Sequence, residues 1–330
     1  MTEDGATALR STLVMHSDCG RHDTGWGHPE HQGRLPAIVR AIERNTPALL
    51  PRVATREAEP AGTDVLLVVH DPAHVERVRA LTRHAAEHGQ LIEIEGDTII
   101  SPASWEAATA AAGCVLDAAR LVVRGESPTA FALARPPGHH ATADRIMGFC
   151  LFNNVAVAAR AMQSEQGIER ILIVDWDVHH GNGTQEIFYS DPAVYYLSLH
   201  QYPWYPGTGL AGQRGAGSGR GTTRNVPLAA GTSRADYKRA FTGALDAVFD
   251  EFVPELIIVS AGYDSMAGDP LGGLLLEPED FHALTRAIVD RADAAAGGRA
   301  VFALEGGYAP ERTGQAVVAT LRALCGLDAA

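Results

Sequence analysis

The chain has 330 residues, of which 46% are hydrophobic, so it can bury a large core as one large domain or two smaller ones. Its formal net charge of −13 argues against an extended phosphate-binding surface and therefore against a nucleic-acid-binding protein. No apolar run approaches the roughly 20 residues of a membrane helix, and the polar start at Thr2, Glu3 and Asp4 is unlike a signal peptide. We therefore expect a soluble, cytoplasmic protein without membrane or nucleic-acid partners, and the composition leaves homo-oligomerisation open.

Short β-rich apolar runs alternate along the chain with longer helical patterns, which is typical of a parallel sheet covered by helices on both faces. Residues 207–221 contain seven glycines but no G-K-[ST], so a flexible loop is favoured there over a phosphate-binding loop. No repeat or linker divides the chain, so we predict a single α/β domain over residues 1–330. The predicted strands are 130–134, 171–174, 194–197, 256–259 and 300–304, and the predicted helices are 104–123, 154–163, 234–251, 279–295 and 311–324.

Polar and charged residues follow the predicted strands at the points where the strands end. Ligands of open parallel sheets bind at these carboxyl ends, so such residues are candidates for a site. Asp175, Asp177 and His179 follow one strand and share a face, because side chains alternate along extended backbone. The ends of the other strands carry the tandem histidines His139 and His140, as well as Asp264 and Tyr308.

A divalent metal is the ligand that these residues favour. One of the two carboxylates, together with His179 and Asp264, would supply three ligands and leave a fourth position for water, as in a catalytic zinc site. A single D-x-H is more often a hydrogen-bonded pair, but the accumulation of such residues at successive strand ends favours the metal. The four cysteines, at positions 19, 114, 150 and 325, include no C-x-x-C pair, which argues against a thiolate site and a disulfide framework.

Seven motifs between residues 135 and 308 resemble those of the histone deacetylase family and occur in the same order. They are R-P-P-G-H-H-A at 135–141, G-F-C-L-F-N-N at 148–154, D-W-D-V-H-H-G-N-G at 175–183, S-L-H at 198–200, S-A-G-Y-D at 260–264, A-G-D-P-L at 267–271 and L-E-G-G-Y at 304–308. The R-P-P-G-H-H and H-H-G-N-G-T forms are similar to the class II branch and its bacterial histone deacetylase-like amidohydrolases. The resemblance implies the three-layer arginase/deacetylase fold, with a mostly parallel sheet of about eight strands covered by helices on both faces.

The activity that the resemblance implies is zinc-dependent hydrolysis of a linear amide C–N bond, with the acetylated Nε amine of lysine as the expected substrate. Asp177, His179 and Asp264 would bind one zinc ion. Tyr308 would stand beside the metal, where its hydroxyl would help to polarise the amide carbonyl.

The two histidines are expected to divide the proton transfers unequally. We expect His140 to act first as general base and then as general acid, with His139 as its electrostatic partner. The resemblance places Asp175 against His139 and Asn182 against His140. Many class I deacetylases carry Asp at the second position, so the Asn here makes the division of roles an open question.

The resemblance also implies one or two structural potassium ions beside the zinc site. The inner ion would be bound by the side chains of Asp175, Asp177 and Ser198 and by the backbone of His179 and Leu199. An outer site is a weaker expectation, because Thr222 replaces an aromatic residue that is typical there. It would use the backbone of Phe188, Asp191 and Val194.

A narrow tunnel with aromatic walls is the expected route of an acylated lysine to the metal. Leu271 matches a rim position that is apolar in lysine deacetylases, whereas a glutamate there suits acetylpolyamines. The remaining substrate positions are Gly148, Phe149 and Tyr205 at the tunnel, Asp97 at the rim, with an Asx turn as its alternative role, and Arg34 at the inner acetate-release channel.

Three alternatives to lysine deacetylation stay open on the sequence alone. An acetylpolyamine or another small acyl-amine is the main one, because a single rim residue separates it from acyl-lysine. A ureohydrolase of the arginase type would need a second Asp at position 262, where the chain has Gly262. A module that binds acyl-lysine without cleaving it would lack a metal ligand or Tyr308, and both are present.

Overall fold

The apolar runs of the sequence form an eight-stranded sheet in the computed structural model, which describes residues 10–329. Its order is β2-β1-β5-β10-β9-β6-β7-β8, and every neighbouring pair is parallel. Strands β3 and β4 form a separate antiparallel pair. The strands are β1 Ser11–Met15, β2 Val53–Glu57, β3 Ile92–Ile94, β4 Thr98–Ile100, β5 Thr129–Ala132, β6 Ile171–Asp175, β7 Val194–Gln201, β8 Thr223–Leu228, β9 Leu256–Ala261 and β10 Ala300–Leu304.

Ten helices accompany the strands in the described residues. Every residue of β5, β6, β7, β9 and β10 is buried, which requires helices on both faces of the sheet. The helices are α1 Arg34–Arg44, α2 Thr46–Leu49, α3 Thr63–Leu66, α4 Pro72–His88, α5 Ser104–Val123, α6 Asn154–Gln166, α7 Asn182–Phe188, α8 Arg234–Glu251, α9 Pro278–Ala295 and α10 Pro310–Leu324.

The five strands predicted from the sequence are five adjacent strands of the sheet, β5, β10, β9, β6 and β7. They read as continuous apolar runs because helices cover both of their faces. The sequence analysis missed β1, β2 and β8, which lie towards the two edges and carry more polar residues. Strands β2 and β8 are edge strands, paired on one side only, so their sequences have a weaker apolar signal. Strand β1 is paired on both sides, but its run S-T-L-V-M begins with two polar residues.

Local sequence accounts for the starts of two of the predicted helices, α8 and α9. Ser233 accepts a hydrogen bond from the backbone N–H of Asp236 and so begins α8. Glu277 and Asp280 form a capping box at the start of α9. The bounds of α5 and α8 agree with the prediction, and the other three predicted helices extend one to three residues further.

The strand register places the polar residues that end the strands next to one another, at the carboxyl-terminal end of the parallel sheet. Asp175 at the end of β6 lies opposite Ser198 of β7 on one side and Ser260 of β9 on the other. Residues 207–221 form a loop with one short 3-10 turn, so the loop prediction holds, while its flexibility stays a prediction. Within the described part of the chain, every helix is too short or too polar to cross a bilayer. The polar start at Thr2–Asp4 lies outside the described residues, and the single-domain prediction stays a prediction.

Candidate active site

Three buried side chains from neighbouring strand ends converge on one point. Asp177 and His179 follow β6, and Asp264 follows β9, the strand beside it. His179 Nδ1 lies 3.1 Å from Asp177 Oδ1 and 3.2 Å from Asp264 Oδ2. One ligand atom of each residue lies within 4.8 Å of the other two. The three groups therefore have the spacing of ligands around a single metal ion.

The chemistry of this cluster also fits a cation. Asp264 Oδ2 is buried and has no hydrogen-bond partner. Burial, and then the charge of Asp177, raises the pKa of Asp264 to about 7. Across the described residues, the ion-pair partners of these two carboxylates are histidines rather than arginines or lysines. A divalent cation supplies the positive charge that two buried carboxylates need.

His139 is held by a carboxylate behind it. Its Nδ1 donates to Asp175 Oδ2 at 3.0 Å, and the Tyr196 hydroxyl donates to the same oxygen at 2.9 Å. Burial by itself lowers the pKa of His139, but the charges of Asp177 and Asp175 outweigh it and raise the pKa to about 10. The imidazole beside the three ligands is therefore held in its charged form.

His140 has a neutral partner instead. Its Nδ1 lies 2.8 Å from Asn182 Oδ1, while the Asn182 amide nitrogen donates to the His140 carbonyl oxygen at 3.3 Å. The amide oxygen can only accept, so Nδ1 carries the proton and Nε2 keeps a free electron pair. Burial, and then the neighbouring His139 and His179, hold the pKa of His140 well below its usual value. A neutral imidazole thus stands next to a charged one.

Tyr308 follows Gly306 and Gly307 after the end of β10 and lines the same cavity as His140 and His179. Burial raises the pKa of its hydroxyl well above the usual value, so the group remains a hydrogen-bond donor. The Arg34 guanidinium lies 4.9 Å from the centre of the Tyr308 ring and donates to the carbonyl oxygens of Gly307 and Glu305, each at 2.7 Å. Glu30 accepts from Arg34 at 3.0 Å, so the guanidinium is fixed behind the tyrosine.

A narrow cavity of about 240 Å³ leads from the surface to these groups. The Phe149 ring meets Tyr308 edge to face at 5.7 Å, and the Tyr205 ring meets His140 in the same way at 5.2 Å. Arg34 does not line the cavity and lies behind Tyr308. The lining residues are Asp97, His140, Gly148, Phe149, His179, Trp204, Tyr205, Leu271 and Tyr308.

Comparison with known proteins identifies the family of this site. A family model described as the histone deacetylase domain matches residues 28–324. The chain belongs to the histone deacetylase family. The histone deacetylase-like amidohydrolase of Pseudomonas aeruginosa is 39% identical over 304 residues, which cover 92% of this chain and 77% of that protein. Histone deacetylase 10, chloroplastic, of Oryza sativa subsp. japonica is 40% identical over 309 residues, which cover 91% of this chain and 70% of that protein.

A solved structure gives the same family and fold. The crystal structure of the HDA15 HD domain superimposes with a TM-score of 0.90 at 35% identity, over 96% of this chain and 90% of that chain. The predicted family resemblance and the parallel arginase/deacetylase fold are confirmed. The predicted enzyme class, a hydrolase acting on amide bonds, is confirmed at the level of the family.

Two of the predicted inner potassium ligands lie side by side in the sheet, although the ion itself is not tested. Asp175 and Ser198 are opposite each other in register, and both are fully buried. The Ser198 hydroxyl lies 2.9 Å from His200 Nδ1. At the outer site, the Thr222 hydroxyl donates to the Asp191 carbonyl oxygen at 3.0 Å. Both potassium sites stay predictions.

Three residues contact the site of this deacetylase-family chain although the sequence analysis gave them no role. Glu305 accepts from the backbone N–H of Gly138 at 2.6 Å and of His139 at 3.3 Å, which anchors the tandem histidines. Trp204 lines the cavity, and its indole N–H donates to the Leu271 carbonyl oxygen at 2.8 Å. The His28 ring lies 4.6 Å from Phe149. Glu305 had a signal, because it stands in the L-E-G-G-Y motif, and His28 stands in the histidine-rich stretch 16–34, which the sequence favours as a solvated rim loop over a second metal site.

Proposed function

We propose that this chain is a zinc-dependent deacetylase that hydrolyses the acetyl amide on the Nε amine of lysine. The observation that carries the proposal is the narrow, aromatic-walled cavity of about 240 Å³ with His179, His140 and Tyr308 at its inner end. An extended aliphatic stem fits such a cavity, and an amide carbonyl at its end would reach both the metal ligands and a hydroxyl donor.

Asp177, His179 and Asp264 would hold the zinc ion. One imidazole nitrogen and two carboxylate oxygens leave a coordination position open, as catalytic zinc sites require. When bound, zinc would supply Lewis-acid polarisation of the amide carbonyl and of the attacking water.

The side chains around the metal ligands account for the proton transfers. His140 Nε2 takes a proton from the water as its oxygen attacks the carbonyl carbon, because Nδ1 is already committed to Asn182. The Tyr308 hydroxyl donates to the carbonyl oxygen as negative charge develops there. The protonated His140 then gives its proton to the nitrogen of the breaking C–N bond, which releases acetic acid and the free amine. His139, held charged by Asp175, adds positive charge next to the reacting carbonyl.

We also propose the inner potassium ion at Asp175, Asp177, Ser198 and the backbone of His179 and Leu199, a proposal supported by the register of β6 and β7, in which Asp175 lies opposite Ser198. A reducing, cytoplasmic location is proposed on separate grounds. All four cysteines are buried free thiols, which is the usual state in a reducing compartment.

Turnover of a fluorogenic acetyl-lysine peptide and of acetylated polyamines, with and without a hydroxamate chelator, tests the proposal. We expect the peptide to be cleaved in preference to the polyamines, because the rim carries the apolar Leu271. We expect the hydroxamate to inhibit this cleavage, because it chelates the proposed zinc ion. A preference for polyamines would refute the substrate and retain the mechanism. Absence of turnover on both would refute the deacetylase. Tyr308→Phe is expected to lose most of the activity, and Tyr189→Phe, outside the cavity, serves as the matched control.

A further inference from the structure

Asp269, in the loop after β9, is a buried carboxylate with an unusual pair of partners. Its side chain is 5% exposed. Oδ2 accepts from the backbone N–H of Tyr308 at 2.7 Å, and Oδ1 accepts from the backbone N–H of Leu271 at 2.9 Å. Arginine and lysine side chains of the described residues form no ion pair with it within 4.0 Å. Two backbone N–H groups are therefore its main stabilising contacts.

A buried carboxylate at this position costs desolvation free energy unless both of its oxygens accept hydrogen bonds. Burial disfavours the charged form and raises the pKa of Asp269. A hydroxyl or an amide would accept one N–H at a smaller desolvation cost. Only a carboxylate offers an acceptor oxygen to each of two N–H donors at once. Asp269 thus holds two backbone segments, at 271 and 308, at a fixed separation.

Each of these segments carries a group that the proposed reaction uses. Tyr308 is the hydroxyl donor, and Leu271 forms the rim of the cavity. The rim is itself tied to Trp204, whose indole N–H donates to the Leu271 carbonyl oxygen at 2.8 Å. The segment that carries Tyr308 has a second attachment two residues earlier. There, the backbone N–H of Gly306 donates to Asp177 Oδ2 at 2.9 Å. The rim and the metal ligands are therefore linked through the backbone of Tyr308.

We propose that Asp269 is a positioning residue that fixes the Tyr308 hydroxyl relative to the rim at Leu271 and Trp204. Substrate contacts at the rim then help to orient the tyrosine towards the amide carbonyl, so binding energy at the entrance raises kcat. The inference rests on the proposed function, because it assigns Asp269 to the same reaction.

A double-mutant cycle on the acetyl-lysine peptide tests this role. Asp269→Asn keeps the size of the side chain but loses one acceptor, so we expect kcat to fall by about 10- to 100-fold with KM changed by less than about threefold. If Asp269 acts through the tyrosine hydroxyl, Asp269→Asn adds no further loss of kcat to Tyr308→Phe. Effects that multiply in the double variant, or a kcat for Asp269→Asn within twofold of the parent, would overturn the proposal.

Two controls separate positioning from general destabilisation. Asp280→Asn changes another buried carboxylate that accepts a backbone N–H, from Glu277 at 2.9 Å, and it should leave kcat unchanged. If Asp269→Asn does not fold, Asp269→Ser, which also removes one acceptor, takes its place in the cycle. The same cycle on hydroxamate affinity, measured by calorimetry, needs no turnover. If the effects of Asp269→Asn and Tyr308→Phe on hydroxamate affinity are coupled but the protein has no deacetylase activity, the proposed function is refuted and the role of Asp269 is retained. If the two effects on hydroxamate affinity are additive, the role of Asp269 is refuted.

Discussion

Gly262 lies against the side chain of Asp177, and its replacement by alanine is expected to displace this proposed metal ligand. A Cβ atom at position 262 would lie 2.5 Å from Asp177 Cβ, short of the ordinary contact distance of 3.4 Å by about 0.9 Å. Asp177 Cβ is bonded to the backbone, so the aspartate cannot escape by rotating its side chain. Metal sites tolerate ligand shifts of only about 0.2 Å. We therefore expect Gly262→Ala to lower zinc affinity and to reduce kcat/KM by at least about 100-fold.

The assay compares metal content after desalting, turnover of the acetyl-lysine peptide and the free energy of unfolding. Overpacking of this kind costs about 1–3 kcal/mol, which a domain of ordinary stability survives, so the variant should fold. Gly243→Ala is the matched control, because a Cβ at that exposed position of α8 meets no atom within 4 Å. It should keep full activity and gain about 1 kcal/mol of stability. Full zinc content and normal turnover in Gly262→Ala would refute the assignment of Asp177 as a ligand.

Three further predictions follow from the same geometry. His140→Ala should lower kcat by about 100-fold or more in steady-state kinetics, and near-normal turnover would refute its role as general base. Leu271→Glu should shift the ratio of kcat/KM values towards acetylated polyamines by about tenfold, since a rim carboxylate attracts a second ammonium group; an unchanged ratio would exclude the rim as a determinant. Glu30→Gln should lower the free energy of unfolding by about 3–5 kcal/mol in urea titrations, because it leaves the buried Arg34 and Arg135 without their carboxylate; a loss below 1 kcal/mol would contradict this.

The inner strands and the clustering of Asp177, His179 and Asp264 could be predicted, because apolar runs and the polar residues after them are visible in short stretches of sequence. The run 171–174 is continuously apolar, as a strand buried on both faces must be. Asp177 and His179 follow this run, and the neighbouring parallel strand β9 brings Asp264 to the same carboxyl-terminal end of the sheet. Strand β8, T-R-N-V-P-L, has no such run, because it lies at an edge of the sheet and is only partly covered.

The supporting carboxylates could not be predicted in this way. Glu305 acts on the backbone of Gly138, 167 positions away, and Asp269 acts on the backbone of Tyr308, 39 positions away. Backbone N–H groups are the same at every non-proline residue, so the sequence gives no sign of which N–H a buried carboxylate will accept. Roles of this kind become visible only when the loops are placed in space.

Because several carboxylates are buried together at the carboxyl-terminal end of the sheet, the proposed metal ion would contribute to the electrostatic balance of the fold as well as to the chemistry. Asp175, Asp177 and Asp264 are fully buried, and Glu305 is 1% exposed. Burial is the largest cause that raises the pKa values of Asp264 and Glu305, each to about 7. The ion-pair partners of the three aspartates among the described side chains are the imidazoles of His139 and His179. A divalent ion therefore removes repulsion that packing alone cannot, and its binding free energy adds to the stability of the native fold.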